Sequence, residues 1–467
     1  MSDAGGPSEV TVLPWDPPAA RDGLRLTTAY ATPWHVSVAL GQAESPVGPL
    51  RLGRLADFYR TSDAEMPQVL AHIDLDPEVI EFRRWSRPVR AAHCWFFVLP
   101  SGQVVAALTL DFSAGAVDSI PLLEDLYYAD VRVGDTPFEE WCHLRVAEQK
   151  GCDVDGGSKF VPERHQILFA GEPKSSPALS HDQLQRVIYR ADLPARQESI
   201  AIRKPDELNR RPTTVAALGP YVSVLAGQQD YVENAALLSA VQIVGTAARL
   251  REIRQRAYEC VRAFRAHQDQ ESPVQERRLT FEDIADLLGE LELELSFSVE
   301  ATADIGLLIP SLRVESYHDA LYESMNLARR AETTSHMLDR LRNAIDAELT
   351  SVTSAEERAE AARRLRTVVA VTFVTTIGGT LAVLFSFFGI NAAEVDERIS
   401  MFDPRYAAIY LVILLIVAVA LVLYVTVGSL EKRRLSRHRA LRGPSAHGPG
   451  RAGRMALGVA EQRRASG

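Results

Sequence analysis

Apolar and polar positions follow three successive patterns along this chain of 467 residues. In the first, short apolar runs alternate with turn residues. HCWFFVLPSGQVVAALTLDF predicts two strands around a Pro-Ser-Gly turn, DVRVG and HQILFAG predict further strands, and SIPLLEDLYYA and HDQLQRVIYRA predict helices. We therefore expect an α/β domain over residues 25–226, preceded by a disordered Pro- and Gly-rich segment over residues 1–24.

The second pattern is helical and covers residues 227–310. A long proline-free segment begins at DYVENAALLSAVQIV, and QDQESPVQE ends it. The stretch from Leu279 to Glu300 is ambiguous, because ELELELSFSVE alternates like a strand whereas Leu and Glu favour helix. We favour helix, and Thr280 with Asp283 resembles a capping box at its start.

From residue 311 apolar residues recur every three or four positions, which predicts a long stalk helix over residues 311–367. The stripe consists of Leu321, Met325, Ala328, Ala331, Leu338, Leu341, Ile345, Leu349 and Val352, with Ser335 filling one gap. An unbroken helix from Val314 to Asn391 would be about 117 Å long. The most favourable place for an interruption is SVTS, residues 351–354, because its hydroxyl residues are able to cap a new helix.

The third pattern consists of two uncharged runs, Val368–Phe388 and Ala407–Gly428. About 20 apolar residues in a helix span a bilayer. We therefore predict transmembrane helices over residues 368–391 and 407–428, joined by a loop over residues 392–406. The alternative is two buried helices of a large soluble core, but such helices are seldom apolar all round for this length.

Charge predicts the orientation of these two spans. The tail, residues 429–467, carries ten Lys or Arg against two Glu, and three arginines precede the first run, whereas the loop after it is net acidic. Basic flanks mark the cytoplasmic side. We thus expect a multi-pass protein of the plasma (inner) membrane with both termini in the cytoplasm.

The region before the first run is strongly acidic. The formal charge of −10, less +8 for the tail and −2 for the loop, leaves −16 for this region. A domain of that charge is a poor partner for nucleic acid. It also lacks a phosphate loop, a nucleophile elbow or HExxH, so we expect no enzyme. The set Cys142, His143, Cys152 and His165 matches no familiar zinc spacing.

The first run has a polar face at helical spacing, and the second run is almost wholly aliphatic. We predict that the first run lines a pore and that the second contacts lipid. The predicted pore-lining residues are Val368, Val371, Thr372, Thr375, Gly379, Ala382 and Ser386. Two spans do not enclose a polar path, so several copies are required. The alternative is a packing surface, because small and hydroxyl residues also mediate helix contacts in bilayers.

The end of the first run, FSFFGINAAEV, predicts a cation filter. Helix C-termini carry partial negative charge, and a ring of Asn391 amide oxygens suits hydrated Mg²⁺, which releases its water reluctantly. Acidic residues follow directly and would attract cations to the outer mouth. These residues are Glu394, Asp396, Glu397 and Asp403, for which a merely solvated loop is the alternative.

Two C-terminal runs, a long helix entering the first, and Phe388-Gly389-Ile390-Asn391 together resemble the CorA family of divalent-cation channels. The family signature is Gly-Met-Asn, so Ile390 replaces its methionine. The resemblance covers about residues 310–430. It implies a homopentamer with a cytoplasmic funnel and a selectivity filter at Gly389, Ile390 and Asn391.

The resemblance also implies transport of Mg²⁺, with Co²⁺, Ni²⁺ or Zn²⁺ as alternative ions, and regulatory Mg²⁺ sites between cytoplasmic domains at positions we do not assign. Our functional hypothesis is therefore a homopentameric channel in the lipid bilayer. The alternative is a membrane-anchored cytoplasmic sensor or scaffold with the same fold and no conduction, and a membrane-tethered enzyme comes third.

Overall fold

A computed structural model describes residues 23–36, 67–149, 152–153, 157–170, 179–191, 202–269, 274–303, 305 and 311–390, with scattered positions from 404 to 425. The strands are β1 (Leu24–Val36), β2 (Gln68–Leu75), β3 (Ile80–Phe82), β4 (Val89–Val98), β5 (Gln103–Phe112), β6 (Val131–Val133), β7 (Thr136–Pro137), β8 (Cys152–Asp153), β9 (Arg164–Ala170), β10 (Val215–Leu218) and β11 (Val222–Ala226). The helices are α1 (Ile120–Tyr127), α2 (Phe138–Ala147), α3 (His181–Tyr189), α4 (Asp230–Asp269), α5 (Val274–Ala303), α6 (Leu312–Ser324) and α7 (Leu327–Ile390). Two compact units result, Met1–Thr350 and Ser351–Gly467.

The N-terminal part is α/β, as predicted, and it is built on one large sheet. Its strand order is β10-β11-β9-β1-β5-β4-β2, with β8 paired to β1. All neighbours are antiparallel except β9 and β11. The predicted hairpin is confirmed as β4 and β5, and Gly102 in its turn has φ +79°. β1 begins at Leu24, the last residue of the segment predicted to be disordered.

One face of the sheet packs against α1, α2 and α3. Alternate residues of β1, β4 and β5 point into this core because successive side chains of a strand lie on opposite faces. Tyr30 shows how the layers join: it is fully buried, stacks on Phe160 with 4.8 Å between ring centroids, and donates from its hydroxyl to the Leu126 carbonyl at 2.6 Å. The core therefore includes an internal hydrogen bond that links β1 to α1.

The other face of the sheet is covered by α4 and α6. Gly245 of α4 lies so close to the β4–β5 turn that an added Cβ would meet Leu99 Cδ1 at 1.9 Å, so a larger residue there would force the Leu99 side chain to move. On α6, the buried hydroxyl of Tyr317 donates to Ser223 Oγ of β11 at 3.1 Å. The sheet thus lies between two helical layers.

The ambiguous stretch of residues 279–300 is helical, and lies within α5. The prediction of a capping box at its start is wrong. α5 begins at Val274, and Thr280 donates its hydroxyl to the Glu276 carbonyl at 3.0 Å from inside the helix. Helix propensity prevailed over strand-like alternation here because Leu288, Leu291 and Leu295 are buried at a helical spacing.

The stalk helix predicted over residues 311–367 is divided into two helices, and the break lies where no signal was recognised. α6 ends at Ser324 and α7 begins at Leu327, with Asn326 between them at φ +60°. The break shifts the buried stripe, so that Leu327 is buried and Ala328 is exposed. By contrast, α7 continues through Ser351–Ser354, where a new helix start had been considered.

Within the second unit, α7 is helical to Ile390, and the described positions between 407 and 425 are helical as well. Across the portions of chain that the structure describes, no helix combines the length and the apolar character needed to cross a membrane.

Asn326 provides a test of the break between α6 and α7. Asn tolerates the left-handed region better than Ala, for which it costs about 1–2 kcal/mol. We expect Asn326→Ala to lower the apparent melting temperature of the full-length protein in detergent, measured by circular dichroism, and Asn326→Gly to preserve it. Asn343→Ala, inside α7, is the matched control and should be neutral or mildly stabilising. Equal effects of the two alanine variants would contradict the assigned strain.

His165 on β9 predicts a pH dependence of stability. Its Nε2 lies 2.6 Å from Ser223 Oγ, and burial lowers the pKa of His165 from 6.5 to about 4. The unfolded chain therefore binds more protons between these values, and stability present above pH 6.5 is lost as pH falls towards 4, by at most about 3 kcal/mol.

We expect His165→Gln to show a smaller loss of melting temperature between pH 6.5 and 4 than the unsubstituted protein, in the same thermal measurement. The exposed His336 provides the control, because His336→Gln should leave that slope unchanged. Parallel slopes for His165→Gln and the unsubstituted protein would contradict the role of His165.

Candidate functional site

The candidate site is a polar stripe on the C-terminal part of α7. All predicted lining residues lie on this helix and are exposed: Val368, Val371, Thr372, Thr375, Gly379, Ala382 and Ser386. At 3.6 residues per turn they fall within an arc of about 100°. The helix therefore presents hydroxyl groups and small residues along one continuous face.

The threonine hydroxyls of α7 are satisfied within the helix. Thr372 donates to the Val368 carbonyl at 2.8 Å, and Thr375 donates to the Val371 carbonyl at 2.7 Å. Because each hydroxyl hydrogen is donated to a backbone carbonyl of the same helix, the hydroxyl oxygen remains available to the surface only as a hydrogen-bond acceptor. Such a surface accepts hydrogen bonds, which suits a cation that retains its water shell.

Apolar side chains are exposed on both sides of the stripe as well as on it. Val368, Val371, Val374 and Val383 are exposed to 61, 56, 67 and 70%, respectively. Val374 and Val383 lie outside the arc of the stripe, so the apolar surface extends around much of the helix. A contiguous exposed surface of this kind marks a region that binds lipid or protein.

The predicted filter lies at the limit of the described chain. Gly389 and Ile390 are the last residues of α7, and their side chains are not described. Asn391 and the predicted outer-mouth residues, Glu394, Asp396, Glu397 and Asp403, lie outside the described residues. Their roles stay predictions.

Of the cysteines and histidines that were weighed as a zinc set, the side chain of Cys152 lies outside the described residues, and the structure does not bring the described members together. His165 pairs with Ser223, as described above, whereas Cys142 is buried beside Cys94. Burial and the neighbouring Cys94 thiol raise the pKa of Cys142 well above its usual range. A protonated, inaccessible thiol is a poor metal ligand.

A different group of potential metal ligands lies on the large sheet, and sequence analysis missed it. His72 and Asp74 are two residues apart on β2 and therefore point to the same face of the sheet, and His93 lies opposite Asp74 on β4. Among the described residues, this is the one cluster of three His, Cys, Asp or Glu side chains close enough to share an ion. The His-x-Asp pattern on a strand was a usable signal, but its partner His93 is identified only by the strand register.

Searches against protein-family models, curated proteins and solved structures found no match for this chain. The functional argument therefore rests on its own residues and geometry.

Proposed function

We propose that this protein is a homo-oligomeric membrane channel for divalent cations, with Mg²⁺ as the principal ion and a pentamer as the assembly. The observation that carries the proposal is the arc on α7 that contains Thr372, Thr375, Gly379 and Ser386, set in a surface of exposed valines. Lipid and neighbouring copies would cover the valines outside the arc, Val374 and Val383, while the arcs of several copies would face a shared axis.

The polar groups of the proposed path are neutral oxygen atoms, and Val368 and Val371 line its inner end with apolar side chains. Threonine hydroxyls on the arc accept hydrogen bonds from the water shell of the ion, and a ring of Asn391 amides does so at the outer mouth. Neutral ligands hold a hydrated Mg²⁺ weakly enough to release it, which conduction requires. An inside-negative potential of 100 mV contributes about 4.6 kcal/mol per divalent ion for inward movement.

The transmembrane assignment in this proposal follows from the two uncharged runs, Val368–Phe388 and Ala407–Gly428. The second run supplies the lipid-facing layer, and its described leucines, such as Leu411 and Leu414, are exposed. Under this proposal the first unit lies in the cytoplasm and performs no catalysis.

A non-conducting sensor or scaffold with the same membrane anchor is the second candidate. One feature favours it: Ile390 stands at the methionine position of the family signature, and Ala392 and Ala393 follow where an aromatic residue is usual. Under this alternative the protein would still form the oligomer but would conduct no ions.

Ion uptake into proteoliposomes tests the proposal. We expect Mg²⁺ uptake, read with an enclosed fluorescent indicator, that falls by at least about tenfold in Asn391→Ala, since hydrogen bonds to a charged group are each worth about 1.5–3 kcal/mol. Co²⁺ and Zn²⁺ in parallel report selectivity.

Thr375 and Thr380 provide a matched pair in the same assay. Both donate their hydroxyls to a carbonyl four residues earlier, but Thr380 lies about 140° from Thr375 around the helix. Thr375→Val should reduce uptake and Thr380→Val should leave it unchanged. No uptake of any tested ion by a folded oligomer would refute the channel and favour the scaffold.

A further inference from the structure

We propose that His72, Asp74 and His93 form a binding site for a divalent transition metal of the Zn²⁺ class on the N-terminal sheet. The strand register brings them together. Asp74 of β2 pairs with His93 of β4, and His72 pairs with Trp95, so these side chains share one face of the sheet. This inference is independent of the proposed channel.

The three ligand atoms lie close enough together to converge on a small ion. Asp74 Oδ1 lies 2.7 Å from His93 Nδ1 and 3.2 Å from His72 Nε2, and all three ligand atoms lie within 4.8 Å of one another. Tetrahedral bonds of about 2.0–2.1 Å place ligand atoms about 3.3 Å apart. Asp74 Oδ1 and His93 Nδ1 are hydrogen-bonded at 2.7 Å, so ion binding would require Asp74, whose side chain is 75% exposed, to rotate and open this distance.

His72 is held in place for coordination. Its ring stacks on the Trp95 indole, with centroids 3.8 Å apart and 19° between the planes. Its Nε2 is buried and has no hydrogen-bond partner among the described residues, although Asp74 Oδ1 is near. A buried polar atom without a partner is costly, and a metal ion would satisfy it.

The chemistry of the three ligands selects the class of ion. Imidazole nitrogen suits Zn²⁺, Co²⁺ and Ni²⁺, whereas Mg²⁺ requires oxygen ligands. Three protein ligands also leave a fourth position for water, as in open zinc sites. Because β2 is the last strand in the sheet order, the ion would join this edge strand to β4.

Binding to the full-length, metal-free protein in detergent tests the site. Co²⁺ is titrated while its visible d–d bands are recorded, and Zn²⁺ affinity is measured by competition with a chromophoric chelator. We expect one ion per chain at this site with tetrahedral Co²⁺ bands. His93→Gln and Asp74→Asn should each weaken Zn²⁺ binding by at least about tenfold. Loss of a residue that only supports a metal ligand already costs about tenfold, and these residues are proposed as ligands themselves.

Controls separate this site from other metal-binding groups. His336 is exposed and lies 3.8 Å from one carboxylate, that of Glu332, so His336→Gln should bind Zn²⁺ like the unsubstituted protein. Asn391→Ala should retain the Zn²⁺ affinity whether or not the channel proposal holds. Asp74→Asn changes an exposed side chain and decides the question if His93→Gln fails to fold.

Two results would overturn the proposal. The first is unchanged Zn²⁺ affinity in Asp74→Asn, and the second is an equal loss in His336→Gln.

Discussion

The exposed apolar surface on the C-terminal part of α7 is the constraint on which the proposed assembly depends. Four valines of this segment are each more than half exposed. Full burial of one valine side chain is worth about 1.5–3 kcal/mol, so leaving four of them in water costs on the order of 5 kcal/mol. Contact with lipid or with other copies would remove this cost. The polar arc through Thr375 then distinguishes one face from the rest.

The first part of the same helix obeys the opposite requirement. Leu338 and Ile345 are fully buried, and Arg342 donates to Glu292 of α5 at 2.7 Å. This amphipathic segment is stabilised by contacts within the first unit, as is usual for a helix of a globular protein. The helical break at Asn326 sets the register of the buried stripe. α7 thus carries two surface patterns, one suited to a protein core and one to an apolar environment.

Local patterns in the sequence were sufficient for the β4–β5 hairpin, for α4 and for the helical state of α5, because alternation, proline placement and helix propensity act over a few residues. They were not sufficient for Asn326, since the left-handed conformation depends on how α6 and α7 pack. The arc on α7 follows from spacing alone, because its residues lie on one helix, and its role as a pore lining stays a prediction. The group of His72 with Asp74 and His93 depends on strand register between distant segments, which spacing does not encode.

Single-particle imaging of the full-length protein in lipid nanodiscs tests the central claim most directly, because it counts the copies and shows which face of α7 meets the axis. We predict five copies around one axis, with Thr372, Thr375 and Gly379 facing inward and Val374 facing away. A monomer or a dimer, or an oligomer in which Val374 faces the axis in place of Thr375, would contradict the assignment of the polar arc as an ion path.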